Sequence, residues 1–245
     1  MEGGKRFWEI DFARGIGILM MIIFHVVFDL NYFHVIKIAI NSGFWFYFAR
    51  ATASIFILVS GISLAISSSR WGTGKYVFLK NSKRASKIFG LGLGISLVTW
   101  FFIGKNFVRF GILHLIGAGI FFGYPFLRFK LLNLILGIIF ILFGLHLQSI
   151  AFDFPWLIWA GFFYPGFYSV DYTPVFPWFG LMLVGIFLGN VCYPKGFRKF
   201  GFPEVKNPLS GFLGFLGRRS LFIYLIHQPI IIAILSVFIL KRFPF

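Results

Sequence analysis

The feature that most limits the folds open to this chain is a succession of apolar runs, each near twenty residues, separated by short basic segments. About 18–20 apolar residues are enough for a helix to cross ~30 Å of hydrocarbon. Runs of this kind occupy residues 12–31, 44–66, 88–104, 108–127, 131–148, 175–192 and 218–240. Only helices and closed barrels can cross a bilayer without stranding backbone polar groups, and runs this long and continuous specify helices. Residues 154–168, FPWLIWAGFFYPGFY, are apolar but short and broken by Pro155, Pro165 and two glycines. They read as a re-entrant or interfacial segment. The expectation is therefore an all-α, polytopic transmembrane helical bundle with about seven crossings, forming one domain over residues 1–245.

Composition agrees. The chain is 59% hydrophobic and 12% charged, against about 25% charged in ordinary soluble domains. Its formal net charge of +16 would suggest nucleic acid in a soluble protein. Here the basic residues fall between apolar runs, so membrane topology accounts for them and no nucleic-acid partner is expected. With the N-terminus in the cytoplasm and seven crossings, all of the 23 basic residues except Lys37, Arg50, Lys105, Arg109, Lys241 and Arg242 fall on the cytoplasmic side. Localisation in the cell membrane follows. The first apolar run has no small-residue cleavage site and reads as a retained helix. Cys192 is the only cysteine, so neither an intrachain disulfide nor a cysteine metal cluster is available, and no metal is expected.

Ionisable residues inside the spans are costly, about 2.5–3.5 kcal/mol each on insertion scales, and mark function by default. Arg14 and His25 are eleven positions apart. At ~100° per residue they share a helix face, ~16 Å apart along the axis. Asp29 is one turn beyond His25 on the same stripe. The first helix thus carries a cation at its cytoplasmic end and a His–Asp pair near its outer end. A neutral imidazole is a competent general base near neutral pH, and a carboxylate can orient it. The plain structural alternative is a snorkelling Arg14 and a hydrogen-bonded, buried His25.

Other polar groups are expected at similar depth. His114 follows GIL in the fourth span, Asp171 opens DYTPVFPWFG before the sixth, and His34 lies just past the first. In RRSLFIYLIHQP, Ser220, Tyr224 and His227 follow i, i+4, i+7 spacing and face one way, with Gln228 beside them and Pro229 bending the helix. The aromatic region 154–178, which includes Trp178, offers a rim on which a sugar could stack. The glycines of GLGLGIS (90–96) read as helix-packing positions, and no phosphate-cradling glycine loop of the Walker type is present. An acceptor site built from these groups competes with two other readings. One is a proton-coupled membrane transporter of a small polar solute; the other is a scaffold whose polar residues only join helices.

Several stretches carry a family likeness: RFWEIDFARGIGILMMIIFH (6–25), FDLNYF (28–33), IFILVSGISLAIS (55–67), FGILHLI (110–116), DYTPVFPWFG (171–180) and GRRSLFIYLIHQP (217–229). Together, and in this order, the chain resembles the small prokaryotic members of the heparan-alpha-glucosaminide N-acetyltransferase family. The Arg14-to-His25 spacing is also similar to that of the acyltransferase-3 membrane acyltransferases. The resemblance implies a transmembrane acetyltransferase that takes acetyl-CoA from the cytoplasm and acylates a sugar amine or hydroxyl on the outer side. It implies Arg14 in donor handling and His25 in catalysis, and it points towards a homodimer. The animal lysosomal member carries Asn at the position of His25 and a catalytic His further along, which makes His34 a rival base. The polyanionic end of the CoA thioester suits Arg14, Lys83, Arg84, Arg218 and Arg219. The expected partners are this donor, a sugar or glycan acceptor and membrane lipid.

Overall fold

A computed structural model describes residues 6–242 apart from 73, 202, 204 and 206, with the side chains of 238–242 also outside the description. Met1–Lys5, Lys206 and the side chains of Lys241 and Arg242, all used above to orient the chain, lie outside the described residues. Among those described there are eight α-helices and no strand. They are α1 (Trp8–Tyr32), α2 (Gly43–Trp71), α3 (Lys75–Ile103), α4 (Ile112–Gly123), α5 (Leu131–Leu147), α6 (Val175–Cys192), α7 (Pro208–Arg218) and α8 (Ser220–Arg242). The regions of α1, α2, α3, α6 and α8 are long and apolar enough to cross a membrane, and Ile112–Arg128 and Leu131–Leu147 are shorter apolar stretches. The chain is a helical membrane bundle.

Contacts divide it into two compact units, 1–56 with 202–245, and 57–201, so that α2 contributes to both. In the first unit α1 packs on α7 and α8. The α1–α7 crossing brings backbones together. A side chain at Gly15 would run into the Leu213 carbonyl, and one at Gly217 into the Asp11 carbonyl. Without a hydrophobic force to join helices in lipid, such small-residue crossings supply van der Waals contact instead. α7 itself was not anticipated, since residues 193–217 read as a loop. Its start is nonetheless encoded. Asn207 Oδ1 accepts from Ser210 N (2.7 Å), Ser210 Oγ accepts from Asn207 N (3.2 Å), and Pro208 stands at the first helical position.

In the second unit α3 packs on α4 and α5 on α6. The part of α2 beyond residue 56 meets α6 through Gly61 and Ala65 on one side and Gly185 and Gly189 on the other, again with backbone atoms in the way of any larger residue. Asn133 and Asn190 donate to carbonyls of the 3-10 turn Tyr124–Arg128 and its exit, fixing the α4–α5 corner. Residues 154–168 contain one 3-10 turn, Ile158–Ala160, and no continuous helix. They fold on an aromatic cluster instead, with Phe152 against Phe162 (4.9 Å between centroids) and Phe154 stacked on Trp156 (5.1 Å). α3 begins thirteen residues before the predicted span, because Lys75, Lys80, Lys83, Arg84 and Lys87 interrupt the hydropathy but not the helix. Of the GLGLGIS glycines only Gly92 is crowded, since a Cβ there would lie 3.0 Å from the His114 ring; Gly90 and Gly94 face open space.

Candidate functional site

α1 is continuous from Trp8 to Tyr32, so Arg14 and His25 do lie on one uninterrupted helix. Asp11, Gly15, Ile18, Met21 and Asp29 are the buried residues of the stripe that includes His25. At the N-terminal end of the stripe Arg14 faces the buried Asp11 at 3.9 Å. At the other end lie five side chains. The His25 and His227 rings stand edge to face, 4.7 Å between centroids. Tyr224 contacts the His227 ring at 5.6 Å. Gln228 Nε2 donates to both oxygens of Asp29, at 2.8 and 2.9 Å. The expected pairing of Asp29 with His25 is therefore not formed. The carboxylate is held from α8, by a residue 199 positions away.

The tautomers follow from the acceptors. His25 Nδ1 lies 2.9 Å from the Met21 carbonyl and His227 Nδ1 2.7 Å from the Tyr224 carbonyl. A carbonyl only accepts, so both Nδ1 atoms carry hydrogen, and in the neutral rings both Nε2 atoms are lone-pair acceptors. His227 is buried and its Nε2 has no protein partner; the same holds for Gln228 Oε1. Buried polar atoms are nearly always satisfied, so these two acceptors are open to a ligand or an ordered water; Asn81 Nδ2 and Ser82 Oγ on α3 are open in the same way. Ser220, at the first position of α8, is half-buried.

His34 lies elsewhere. It is exposed in the turn after α1, with φ 60. Of the cations proposed for the donor, Arg218 lines a groove of about 390 Å³ between the start of α1 and α7, together with Trp8, Asn207, Ser210 and Gly214. The Trp8 indole Nε1 is buried there without a partner. Arg219 sits 5.7 Å over the Phe215 ring. Lys83 and Arg84 are exposed on α3, in the other unit.

The second unit has its own polar cluster. Gly111 N donates to His114 Nδ1 (3.2 Å), which puts the ring hydrogen on Nε2, 3.4 Å from Ser96 Oγ; that hydroxyl in turn donates to the Val108 carbonyl. Asp171 Oδ2 accepts from Ile112 N (3.3 Å) at the first turn of α4, and its Oδ1 accepts from Thr173 Oγ1 (3.1 Å). An anion there favours the helix dipole. Thr173 N donates to the Phe110 carbonyl (2.8 Å), tying the two loops together. Tyr172 donates to the Ile158 carbonyl (2.7 Å), and burial pushes its hydroxyl above the usual phenol range. His114 and Asp171 thus belong to one cluster, in which they hold the entry to α4. Ser96, Thr173 and Ser169, whose Oγ lies 2.9 Å from the Phe107 and Asp171 carbonyls, complete this network and carry no distinguishing sequence signal. Trp178 is half-buried in the first turn of α6. Among the described residues no three His, Cys, Asp or Glu form a metal-holding group.

Comparison with curated proteins and with solved structures returned no match. The sequence model of the heparan-alpha-glucosaminide N-acetyltransferase catalytic domain matches residues 6–229, a stretch that contains α1 with its Arg14 and His25, the His114–Asp171 cluster and the His227–Gln228 pair. The chain is an integral membrane protein and belongs to the heparan-alpha-glucosaminide N-acetyltransferase family.

Proposed function

We propose that the protein moves an acetyl group from acetyl-CoA on the cytoplasmic side of the cell membrane to the amine or hydroxyl of a sugar on the other side. The observation that supports this reading is the two-ended α1 stripe. Cations and an unsatisfied indole N–H lie at its N-terminal end, and acceptor atoms without donors lie ~16 Å along it. The phosphates suit Arg14 and Arg218, which can bind them with directed, charge-assisted hydrogen bonds. The pantetheine arm is extended and of about the Arg14-to-His25 length, so the thioester would come beside the imidazoles. His25 Nε2 would take the proton of the attacking group as its nitrogen or oxygen bonds to the acyl carbon and the C–S bond breaks. His34, exposed beyond α1, is less suited to this role, and Lys83 and Arg84 remain candidates for the donor on the second unit.

Thermal unfolding with donor present tests the first half. Saturating acetyl-CoA, at about 100 times its Kd, should stabilise the folded protein by ~2.7 kcal/mol. Arg14→Ala and Arg218→Ala should each weaken that shift. Mass spectrometry of amine- and hydroxyl-bearing sugars incubated with the purified protein tests the second half. A protein that neither responds to CoA nor acetylates an acceptor, but carries solute into vesicles, is a transporter. Topology is tested by cysteine labelling, where modification of the 193–217 segment from outside intact cells would overturn the count of seven crossings.

A further inference from the structure

We propose that His227 is a second proton acceptor in this site, and that the site is built to strip two protons from an ammonium group. The inference rests on the acetyl-transfer reading above and adds a residue and a reason to it. His227 is 8% exposed, and with Nδ1 committed to the Tyr224 carbonyl its Nε2 is a buried lone pair that no protein donor reaches. One residue on, Gln228 has both its Asp29 bonds made through Nε2, which leaves Oε1 buried and unmatched. Asp29 is 3% exposed and its partner is a neutral amide. The seam between α1 and α8 therefore holds two unmatched acceptor atoms and a carboxylate whose described donor is the neutral amide of Gln228. Leaving a buried acceptor unmade costs about 1–3 kcal/mol. An ammonium supplies three N–H donors and a positive charge; a hydroxyl supplies one donor and no charge.

The stoichiometry agrees. An ammonium, R–NH3+, must lose one proton before its nitrogen has a lone pair to attack. It loses a second once the C–N bond has formed and the C–S bond breaks. The sum is R–NH3+ and the acetyl thioester giving R–NH–CO–CH3, the free thiol and one proton. His227 takes the first proton and passes it to water. His25 takes the second and returns it to the departing thiolate. With the two rings 4.7 Å apart, simultaneous protonation is disfavoured by like-charge repulsion, so the first proton leaves before the second is taken.

The test compares purified wild type with His227→Gln and His227→Asn, using glucosamine and acetyl-CoA over a range of pH. Either amide keeps hydrogen-bonding groups near the ring's place but cannot carry a proton. The titratable groups against His227 are His25 from α1 and Tyr224 from its own helix, with Asp29 held by the neighbouring Gln228, and all three are common to the proteins compared. The variants should lose about 10²-fold in kcat/KM below the pKa of the amine, and the deficit should shrink as the pH rises through it, because a neutral amine needs one base. Thermal stabilisation by acetyl-CoA should be unchanged. A deficit of equal size at every pH, or no deficit, overturns the role of His227 while leaving the acetyltransferase reading intact; a wild type that transfers nothing removes that reading itself. Should neither variant fold, 15N spectra of histidine-labelled wild type decide. A lone-pair Nε2 on His227 that responds to glucosamine supports the proposal, and a protonated Nε2 or no response overturns it.

Discussion

His114 and His227 are both buried histidines on apolar helices, yet their surroundings treat them in opposite ways. Around His114 every bond is closed. Gly111 donates to one nitrogen, Ser96 stands at the other, and Asp171 is matched to Ile112 and Thr173. Around His227 one nitrogen is left over, and Gln228 has a spare oxygen beside it. A closed network in a low-dielectric interior rigidifies, whereas an open one is expensive and persists where something else completes it. The difference separates a histidine that holds a loop from one with a nitrogen left open, and it is read from partners rather than from burial, which the two share.

That contrast is most exposed to the replacement of His25, whose ring packs on His227. His25→Ala should lower kcat by about 10²–10⁴-fold with little change in thermal unfolding. If His34→Ala does this instead, the base lies in the outer turn and the α1–α8 seam is a binding site alone. His114→Ala should do the reverse. It removes the acceptor for the Gly111 amide, and an orphaned buried donor costs about 1–3 kcal/mol. The expectation is a lower unfolding temperature with acetyl transfer per folded molecule retained; a chemical defect with normal stability would erase the contrast.

Tyr172→Phe sharpens the structural side by a smaller amount. Losing its bond to the Ile158 carbonyl should cost about 0.5–1.5 kcal/mol. Because burial raises the folded hydroxyl above the unfolded phenol value of ~10, its contribution is whole below that pH and is lost as pH climbs through the folded value. Wild type should accordingly show a steeper alkaline loss of stability than the variant in unfolding series at increasing pH. Smallest of all, Gly94→Ala, where nothing lies within 4 Å, should gain about 0.4–1 kcal/mol. Gly92→Ala, against the His114 ring, should not gain.

The helices were largely legible because hydropathy and length decide them. α5 and α6 begin and end within a residue of the predicted spans, since each is bounded by turn residues and carries no internal charge. α3 was read short because a run of lysines and arginines looks like a loop to a hydropathy scan while being a good helix former. α7 was missed despite the Asn207–Pro208–Ser210 capping pattern, which is only a few residues long. Within the site, the stripe from Arg14 to Asp29 could be drawn from helical periodicity alone. The partner of Asp29 could not, because no local rule joins it to Gln228, 199 positions on. Nor could the unmatched nitrogen of His227, which is a property of what surrounds it.

The Asp29–Gln228 contact also sets a schedule for biosynthesis. α1 is made first, and it carries a buried carboxylate whose amide partner has yet to be translated. At roughly 5–20 residues per second the wait is on the order of ten to forty seconds, during which a charge worth about 2.5–3.5 kcal/mol against insertion is uncovered. The amide arrives only with α8. A chain interrupted before Gln228 would leave Asp29 without the group that holds it in the folded protein.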